Sequence, residues 1–197
     1  MRSFAAVASL FLFFIAAGTA IECEVCSSRA GTDCSGELVT CVQTVERCQT
    51  TITEYSAEGK QSVYNVFKNC SGVEAKNTMY RSATKHAFYQ LRIEICQTPG
   101  CNKGPLQFPP VNSTLNGVKC PSCAVDGALG CEATEVVECF GELTNCIYLA
   151  ATFRLPAASP VKSAYRGCTS AESVKHYPKG PAQKAQDVAT LVVSKGV

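Results

Sequence analysis

The pattern of apolar and polar side chains along the middle of the chain predicts β-strands. Residues 91–95 alternate strictly between aliphatic and charged side chains, which places three aliphatic residues on one face of a half-buried strand. Residues 48–55 are dense in β-branched side chains, and residues 57–60 have the composition of a turn. Residues 62–67 then return towards Cys70, so the pattern predicts a long hairpin with cysteines at its base.

The second half of the chain repeats this pattern. Residues 146–153 and 161–168 stand at the places that correspond to the two arms of the first hairpin. Before residue 182 no segment has a convincing helical period, and residues 182–193 form at best a short amphipathic stretch. The pattern therefore favours an all-β protein.

The first twenty residues have the organisation of a secretory signal peptide. Arg2 supplies a positive start, residues 10–17 an apolar core, and residues 18–20 a small-residue exit. The apolar run is too short for a stop-transfer helix, and no later stretch approaches ~20 apolar residues. We therefore expect residues 1–20 to be removed and the mature protein to be secreted to the extracellular side without a membrane anchor.

Cysteine content indicates how such a protein is held together. All fourteen cysteines of the 197-residue chain lie beyond residue 20. In an oxidising compartment, an even number of cysteines at short spacings indicates a disulfide framework. Charge changes this interpretation little, because residues 21–104 hold nine acidic and nine basic side chains and residues 105–197 hold seven and eight. Neither half has a field that would attract nucleic acid or an anionic membrane.

The cysteine spacing shows that the chain is a tandem repeat. Six cysteines of the first half recur in the second half at offsets of 97, 97, 97, 98, 98 and 98 residues: Cys23, Cys26, Cys34, Cys41, Cys48 and Cys70 correspond to Cys120, Cys123, Cys131, Cys139, Cys146 and Cys168. A single one-residue insertion accounts for the change of offset. The spacing therefore predicts two homologous domains, residues 21–104 and 118–197.

Residues 105–117 join the two domains. This segment is rich in proline and polar residues, and proline fixes φ and removes backbone donors, so we expect a stiff, extended linker. Asn112 begins an N-glycosylation sequon in this segment, and Asn69 begins another beside Cys70. We expect Asn69 to be glycosylated less than Asn112, because its neighbouring cysteine is bridged early.

Catalytic and metal-binding interpretations are weaker. The pairs Cys23/Cys26 and Cys120/Cys123 have the spacing of zinc ligands, but no histidine lies nearby and more cysteines follow at wider intervals. No strand–helix context supports a redox role for them. His86 lies in a polar stretch and is interpreted as a solvated strand-edge residue, and no nucleophile or phosphate-binding motif occurs. We therefore predict a non-enzymatic protein with no metal and no cofactor.

The cysteine spacing of the first domain, ending in the pair Cys101-Asn102, resembles that of the lymphocyte-antigen-6/urokinase-receptor family of three-finger domains. Two such domains behind a signal peptide, opening on Cys-Glu-x-Cys and joined by a Gln-Phe-Pro linker, resemble the gamma-type phospholipase A2 inhibitors. The resemblance covers residues 21–168. It implies a small, disulfide-rich, all-β fold of two tandem three-finger domains.

The resemblance also implies how the cysteines pair. The implied bridges are Cys23–Cys48, Cys26–Cys34, Cys41–Cys70 and Cys96–Cys101 in the first domain, and Cys120–Cys146, Cys123–Cys131 and Cys139–Cys168 in the second. The family's second domain continues with further cysteines, whereas residues 169–197 contain none. We therefore expect a second domain that is truncated, with an irregular tail over residues 169–197.

The resemblance implies a function by protein binding. We expect an inhibitor-like protein whose finger hairpins and linker cover the membrane-facing or active-site mouth of a secreted phospholipase A2. Exposed apolar residues on a stiff linker are presented at little entropic cost, which makes Leu106, Phe108, Pro109 and Pro110 the candidate contacts. The alternative for Phe108 is packing between the domains. The alternative function is a soluble adhesion or receptor-modulating ligand with no enzyme target, because a fold does not determine a function.

Overall fold

The computed structural model describes residues 20–42, 44–72, 76–153, 159–170 and 186–196, and every regular element within them is a β-strand. The strands are β1 (Glu22–Ser28), β2 (Glu37–Thr40), β3 (Arg47–Ala57), β4 (Val63–Ser71), β5 (Thr78–Ala83), β6 (Ala87–Cys96), β7 (Leu115–Asp126), β8 (Glu135–Phe140), β9 (Asn145–Phe153), β10 (Val161–Thr169) and β11 (Gln186–Lys195). Within these ranges no helix is long and apolar enough to cross a membrane.

The strands form one hydrogen-bonded network that runs through both halves of the chain. Their order is β11-β9-β10-β5-β6-β3-β4-β1-β2, and β7 pairs with both β10 and β8. Strands β1 to β6 form domain 1, and strands β7 to β11 form domain 2. The two domains are joined by a short antiparallel ladder between β5 and β10, in which Cys168 lies opposite Ala83 and Thr169 opposite Ser82.

The predicted first hairpin is the pair β3 and β4, and the alternating segment 91–95 lies in β6. In β3, burial alternates with the side-chain period of a strand, so that Cys48, Thr50 and Ile52 are buried. Strand β6 pairs with β3 along ten residues and contributes Ile93 to the buried core. These three strands are the central sheet of domain 1.

Seven disulfides link all fourteen cysteines, and none is free. The pairs are Cys23–Cys48, Cys26–Cys34, Cys41–Cys70, Cys96–Cys101, Cys120–Cys146, Cys123–Cys131 and Cys139–Cys168. They are the pairs that the family resemblance implies. Since each domain has a small core, these bridges limit the entropy of the unfolded chain at the base of the fingers.

The base of each domain is a cluster of buried cysteines, but the two clusters are completed differently. In domain 1, Cys23, Cys41 and Cys48 pack with Ile21 and with Cys96 and Cys101 of the same domain. In domain 2, the corresponding cluster contains Cys120, Cys139 and Cys168 and is completed by Ala83 and Phe88 of domain 1. The β5–β6 finger of domain 1 therefore forms part of the core of domain 2.

The expectation of an irregular tail over residues 169–197 is wrong for residues 186–195. These residues form β11, which pairs antiparallel with β9 from Gln186 opposite Phe153 to Lys195 opposite Asn145, with a register shift at Val188. Val188, Leu191 and Val193 pack against a buried cluster on β9. The strand forms without cysteines because its apolar side chains extend a sheet face that already exists. Residues 171–185 and 197 lie outside the described residues.

Candidate protein-binding surface

The linker lies against domain 1 rather than standing free. The Arg92 guanidinium donates to the backbone oxygen of Gln107, and that of Arg81 donates to the backbone oxygen of Pro109. Leu106 and Phe108 are half-buried, whereas Pro109 and Pro110 are exposed. A groove of about 370 Å³ lies beside Pro109, and its walls are Asn77, Thr78, Met79, Arg92, Ile93 and Glu94. Of the four candidate contacts, the two prolines thus offer the more accessible surface.

A chain of polar side chains crosses the sheet of domain 1 beneath the linker. Tyr64 on β4 donates to Glu54 Oε1 at 2.8 Å, and Gln90 on β6 donates to Glu54 Oε2 at 2.6 Å. Gln90 Oε1 in turn accepts from Arg81 Nε at 3.0 Å, and Arg81 also donates to Glu142 of domain 2. This chain fixes the orientation of the buried Arg81, which holds the linker and the second domain.

Hydrogen bonding keeps Glu54 ionised within this chain. Burial alone would raise the pKa of Glu54, but hydrogen bonds from Gln90, Tyr64 and Ser62 outweigh it and lower the pKa. The same bond to Glu54, together with burial, raises the pKa of Tyr64, whose phenol remains a donor. Gln90 thus links the two charged groups, since it donates to Glu54 and accepts from Arg81.

The opposite face of the same sheet carries exposed apolar side chains. Tyr55 is 49% exposed, Val63 50% and Phe67 45%. Tyr55 lies directly opposite Val63 in the β3–β4 hairpin and opposite Tyr89 on β6. Phe67 lies on the same face four residue pairs towards the base, beyond the Thr53/Asn65 pair. We refer to Tyr55, Val63 and Phe67 as the finger face. Exposed apolar side chains gathered on one face of a sheet mark a candidate surface for binding other molecules.

The junction between the domains combines apolar and polar contacts. The rings of Phe88 and Phe140 lie 5.9 Å apart between centroids. Ser122, which is 1% exposed, accepts from the backbone nitrogen of Lys85 at 2.8 Å, and the hydroxyls of Tyr80 and Tyr165 are hydrogen-bonded to each other. These contacts, added to the β5–β10 ladder, attach the third finger of domain 1 to the base of domain 2.

His86 lies in the turn between β5 and β6 and joins the two domains. Its Nδ1 is 2.7 Å from Glu58 Oε2 of domain 1, and its Nε2 is 3.1 Å from Glu135 Oε2 of domain 2. These bonds, first that to Glu58 and then that to Glu135, raise the pKa of His86. His86 is exposed, as expected, but it lies in a turn rather than at a strand edge, and its two ion-pair partners come from different domains. The other histidine of the chain, His176, lies outside the described residues.

The cysteine sulfurs come close together but offer no metal ligands. Those of Cys23, Cys41 and Cys70 lie within 4.8 Å of one another, as do those of Cys120, Cys139 and Cys168. Each of them belongs to a disulfide, and a disulfide sulfur carries no thiolate charge for a metal ion.

The two sequons differ in exposure. Asn112 is exposed, and its Oδ1 accepts from the backbone nitrogen of Thr114 at 3.0 Å. Asn69 is half-buried in β4, and the hydroxyl of its sequon residue Ser71 is bonded to Gln49 Oε1 at 3.0 Å. The Asn112 sequon therefore presents the more accessible acceptor.

Comparison with known proteins assigns the fold to a family. The u-PAR/Ly-6 domain profile matches the chain twice, over residues 19–104 and over residues 116–188. The chain belongs to the u-PAR/Ly-6 domain family. Residue 188 lies inside β11, so the second u-PAR/Ly-6 match extends beyond the last cysteine of the chain.

Several curated proteins are similar in sequence to this u-PAR/Ly-6 chain over most of its length. The phospholipase A2 inhibitor PIP of Malayopython reticulatus is 29% identical over 176 residues, which are 86% of this chain and 83% of the relative. The phospholipase A2 inhibitor NAI of Notechis ater is 30% identical over 187 residues, which are 86% of this chain and 84% of the relative. The urokinase plasminogen activator surface receptor of Bos taurus is 28% identical over 161 residues, 76% of this chain and 45% of the receptor. Among solved structures, that of mouse TEX101 is 18% identical and covers 88% of this chain and 99% of its own, with a TM-score of 0.43.

Reasoning from the sequence missed the residues that join the two u-PAR/Ly-6 domains. Arg81 and Glu142 carry no motif, and their partners lie far away along the chain. Strand β11 had a detectable signal, because residues 188–193 are rich in β-branched side chains.

Proposed function

We propose that the protein is secreted and acts by binding a secreted phospholipase A2 and blocking it, with no catalysis of its own. The observation that carries this proposal is the similarity to two phospholipase A2 inhibitors over more than four fifths of their length, which spans both domains. The named relatives of this chain are inhibitors and a receptor, which favours binding over catalysis.

Secretion and glycosylation are parts of the same proposal. Residues 1–20 act as a signal peptide, and the fourteen cysteines pair in the secretory pathway. Asn112 carries the main glycan, because it is exposed on the linker, and Asn69 is occupied less often.

Intact-mass measurement before and after reduction tests the bridges, since seven disulfides correspond to fourteen hydrogens. A mass shift on peptide-N-glycosidase treatment that disappears in Asn112→Gln tests the main glycan.

The finger face is the proposed contact surface for the enzyme, with Pro109 and Pro110 of the linker as a second contact. Exposed aromatic side chains supply large apolar area at a small cost in conformational entropy, and they dominate binding energies at protein interfaces. Covering the enzyme's interfacial mouth with such a surface would compete with lipid for the same apolar contacts.

Titration of the purified protein against a panel of secreted phospholipases in a vesicle-hydrolysis assay tests the proposal. We expect at least one enzyme to lose hydrolysis at micromolar protein. The double variant Tyr55→Ser/Phe67→Ser should need at least about tenfold more protein, because hot-spot residues contribute ~2 kcal/mol or more. Val161→Ser is the matched control, since Val161 is 42% exposed but lies on domain 2, away from the finger face. If no enzyme on the panel is inhibited, the phospholipase proposal is wrong.

The second candidate function is that of a soluble ligand that modulates adhesion or a receptor. Similarity to the bovine urokinase plasminogen activator surface receptor supports it. A pull-down from detergent-solubilised cell surfaces, with the Tyr55→Ser/Phe67→Ser variant as control, tests it. A membrane protein captured by the wild type and lost with the variant would favour this candidate, whereas capture by both or by neither would contradict it.

A further inference from the structure

Each domain carries one cation at the same place in its fold. Lys68 on β4 and Arg166 on β10 are 98 residues apart, which is the offset of the last three cysteine pairs of the repeat. Lys68 lies opposite Cys26 in the β1–β4 ladder, and Arg166 lies opposite Cys123 in the β7–β10 ladder. The two cations are therefore structurally equivalent, and their surroundings can be compared residue by residue.

In domain 1, two carboxylates surround this cation. The Lys68 side chain is 0% exposed, and its Nζ lies 2.9 Å from Glu24 Oε2 and 2.7 Å from Asp33 Oδ1. It also donates to the backbone oxygen of Cys34 at 2.8 Å. Burial lowers the pKa of Lys68, but the bonds to Asp33 and Glu24 outweigh burial, so the lysine stays charged and is fully compensated.

In domain 2, both carboxylates are missing while the cation remains. The repeat offset of 97 places Pro121 where domain 1 has Glu24, and Gly130 where it has Asp33. None of the ion pairs formed among the described residues involves Arg166. The guanidinium therefore keeps the position of Lys68 without the acidic groups that compensate it.

An aromatic ring replaces part of this compensation. Tyr148 stands opposite Arg166 in the β9–β10 ladder, at the position where domain 1 has Thr50 opposite Lys68. The guanidinium carbon lies 4.1 Å from the centroid of the Tyr148 ring. A cation–π contact attracts the charge but accepts no hydrogen bond along the plane of the guanidinium. Consistently, the buried Nε of Arg166 has no hydrogen-bond partner among the described residues.

The space that the missing carboxylate would fill is open at Gly130. A Cβ placed on this glycine would meet no atom nearer than the Tyr148 hydroxyl, at 3.8 Å, and its backbone is not in the left-handed region. Neither steric crowding nor backbone conformation therefore requires a glycine at position 130. A planar guanidinium, one face of which lies on a ring, presents its remaining donors in a fork that matches a carboxylate.

We propose that Arg166, Tyr148 and the gap at Gly130 form a binding site for a carboxylate supplied from outside the chain. The incoming group takes the place that Asp33 occupies in domain 1 and accepts charge-assisted hydrogen bonds from Arg166. Its source is either an acidic side chain or a free carboxylic acid, since both present the same two oxygens. The site is on domain 2, away from the finger face, and it does not depend on what the finger face binds.

The experiment follows the Nε–Hε resonance of Arg166 by ¹H–¹⁵N NMR in the full-length protein, at constant ionic strength. The resonance is assigned from its loss in Arg166→Lys. Three probes are titrated separately: acetate, a capped glutamate and octanoate, with chloride as the reference anion. We expect a saturable shift with carboxylates and none with chloride. A preference for capped glutamate would point to an acidic side chain of a protein, and a preference for octanoate to a fatty acid.

Two variants at one position decide whether the site is the one described. Gly130→Asp restores the internal carboxylate of domain 1 and should weaken carboxylate binding by at least about tenfold, the scale of a charge-assisted hydrogen bond. Gly130→Asn has nearly the same shape without the charge and should weaken binding less. The proposal is wrong if no carboxylate gives a saturable shift, or if Gly130→Asp binds carboxylate as tightly as the wild type. Unchanged shifts of residues in β9 and β10 would show that both variants keep the fold.

Discussion

The two domains share a disulfide framework, but they close its base in different ways. Domain 1 closes its base with its own chain, because the loop after Cys96 returns to Cys101 and places Asn102 between β1 and β3. Asn102 is 3% exposed, donates to the backbone oxygen of Glu24 at 2.8 Å and accepts from its backbone nitrogen at 2.9 Å. The described residues of domain 2 form no such loop, and Ala83 and Phe88 of domain 1 cover its base instead.

A repeated cysteine pattern therefore does not imply two independent folding units. The bridges limit the unfolded chain of both domains in the same way, since their sequence separations are nearly the same. The apolar side chains that cover the cysteine cluster differ, however. In domain 1 they come from domain 1 itself, whereas in domain 2 some of them come from domain 1. Stability should therefore be asymmetric between the domains.

Separation of the domains should have the largest effect. Residues 21–104 expressed alone should unfold cooperatively, whereas residues 105–197 alone should not, because their cysteine cluster loses Phe88 and Ala83 and exposes apolar surface. Near-UV circular dichroism during thermal unfolding of the two oxidised fragments measures this. Cooperative unfolding of the second fragment would contradict the asymmetry.

Removing either of the two equivalent cations should have the second-largest effect, and the loss of stability should differ between them. Lys68→Met leaves the buried Glu24 and the half-buried Asp33 without their partner and should cost about 3–5 kcal/mol, as the loss of one member of a buried ion pair does. Arg166→Met removes a cation–π contact and should cost at most about 2 kcal/mol. Urea denaturation of the two full-length variants, followed by hydrogen exchange in β4 and β10, compares them. Equal losses would mean that the two sites are energetically alike.

Gly167 should be the most sensitive single position at the junction itself. A Cβ at this residue would lie 2.0 Å from the backbone oxygen of Ala83, so that β5 and β10 could not keep their ladder. Gly167→Ala should therefore cost about 1–3 kcal/mol, in the range of overpacking substitutions. Gly130→Ala is the matched control, since its Cβ has room, and it should leave the thermal midpoint nearly unchanged. If both variants melt alike, the close approach at Gly167 has no energetic importance.

The smallest effect should be a pH dependence of the junction. The pKa of His86 is raised above its ordinary value of 6.5 by Glu58 and then Glu135. A raised pKa means that the charged imidazolium stabilises the folded state, so this contribution is complete below pH 6.5 and is lost as the pH rises through the folded-state pKa. The effect is small because the side chain is 57% exposed.

Thermal unfolding across this pH range, in the wild type and in two variants, isolates the histidine. In the wild type, protonation of His86 should make the unfolding temperature fall as the pH rises. His86→Gln should abolish this decrease, and Glu135→Gln should reduce it. A midpoint whose pH profile is the same in all three proteins would show that the contact carries no protonation-linked stability.

The sequence predicted the local and repeated features of the fold better than the contacts between the domains. Strand alternation in residues 91–95 and the hairpin that begins at Cys48 are local patterns, and they correspond to β6 and to β3–β4. Strand β11 was missed because residues 186–195 need β9 as a partner before their apolar face is buried, and sequence alone does not show that partner.

The candidate site was predicted only in part for a related reason. Linker residues were named for their apolar character, whereas Arg81 and Arg92, which hold the linker in place, carry no sequence signal.

The seating of the β5–β6 finger on the second domain also gives the protein a direction of assembly. Residues 87–96 leave the ribosome before any cysteine of the second repeat does, so the surface that domain 2 requires is already present when its own strands emerge. The reverse order of domains would present the dependent copy first, with nothing to cover it. The order of the two domains along the chain therefore matters for folding. Transposing the two repeats should impair biogenesis even though every disulfide could still form.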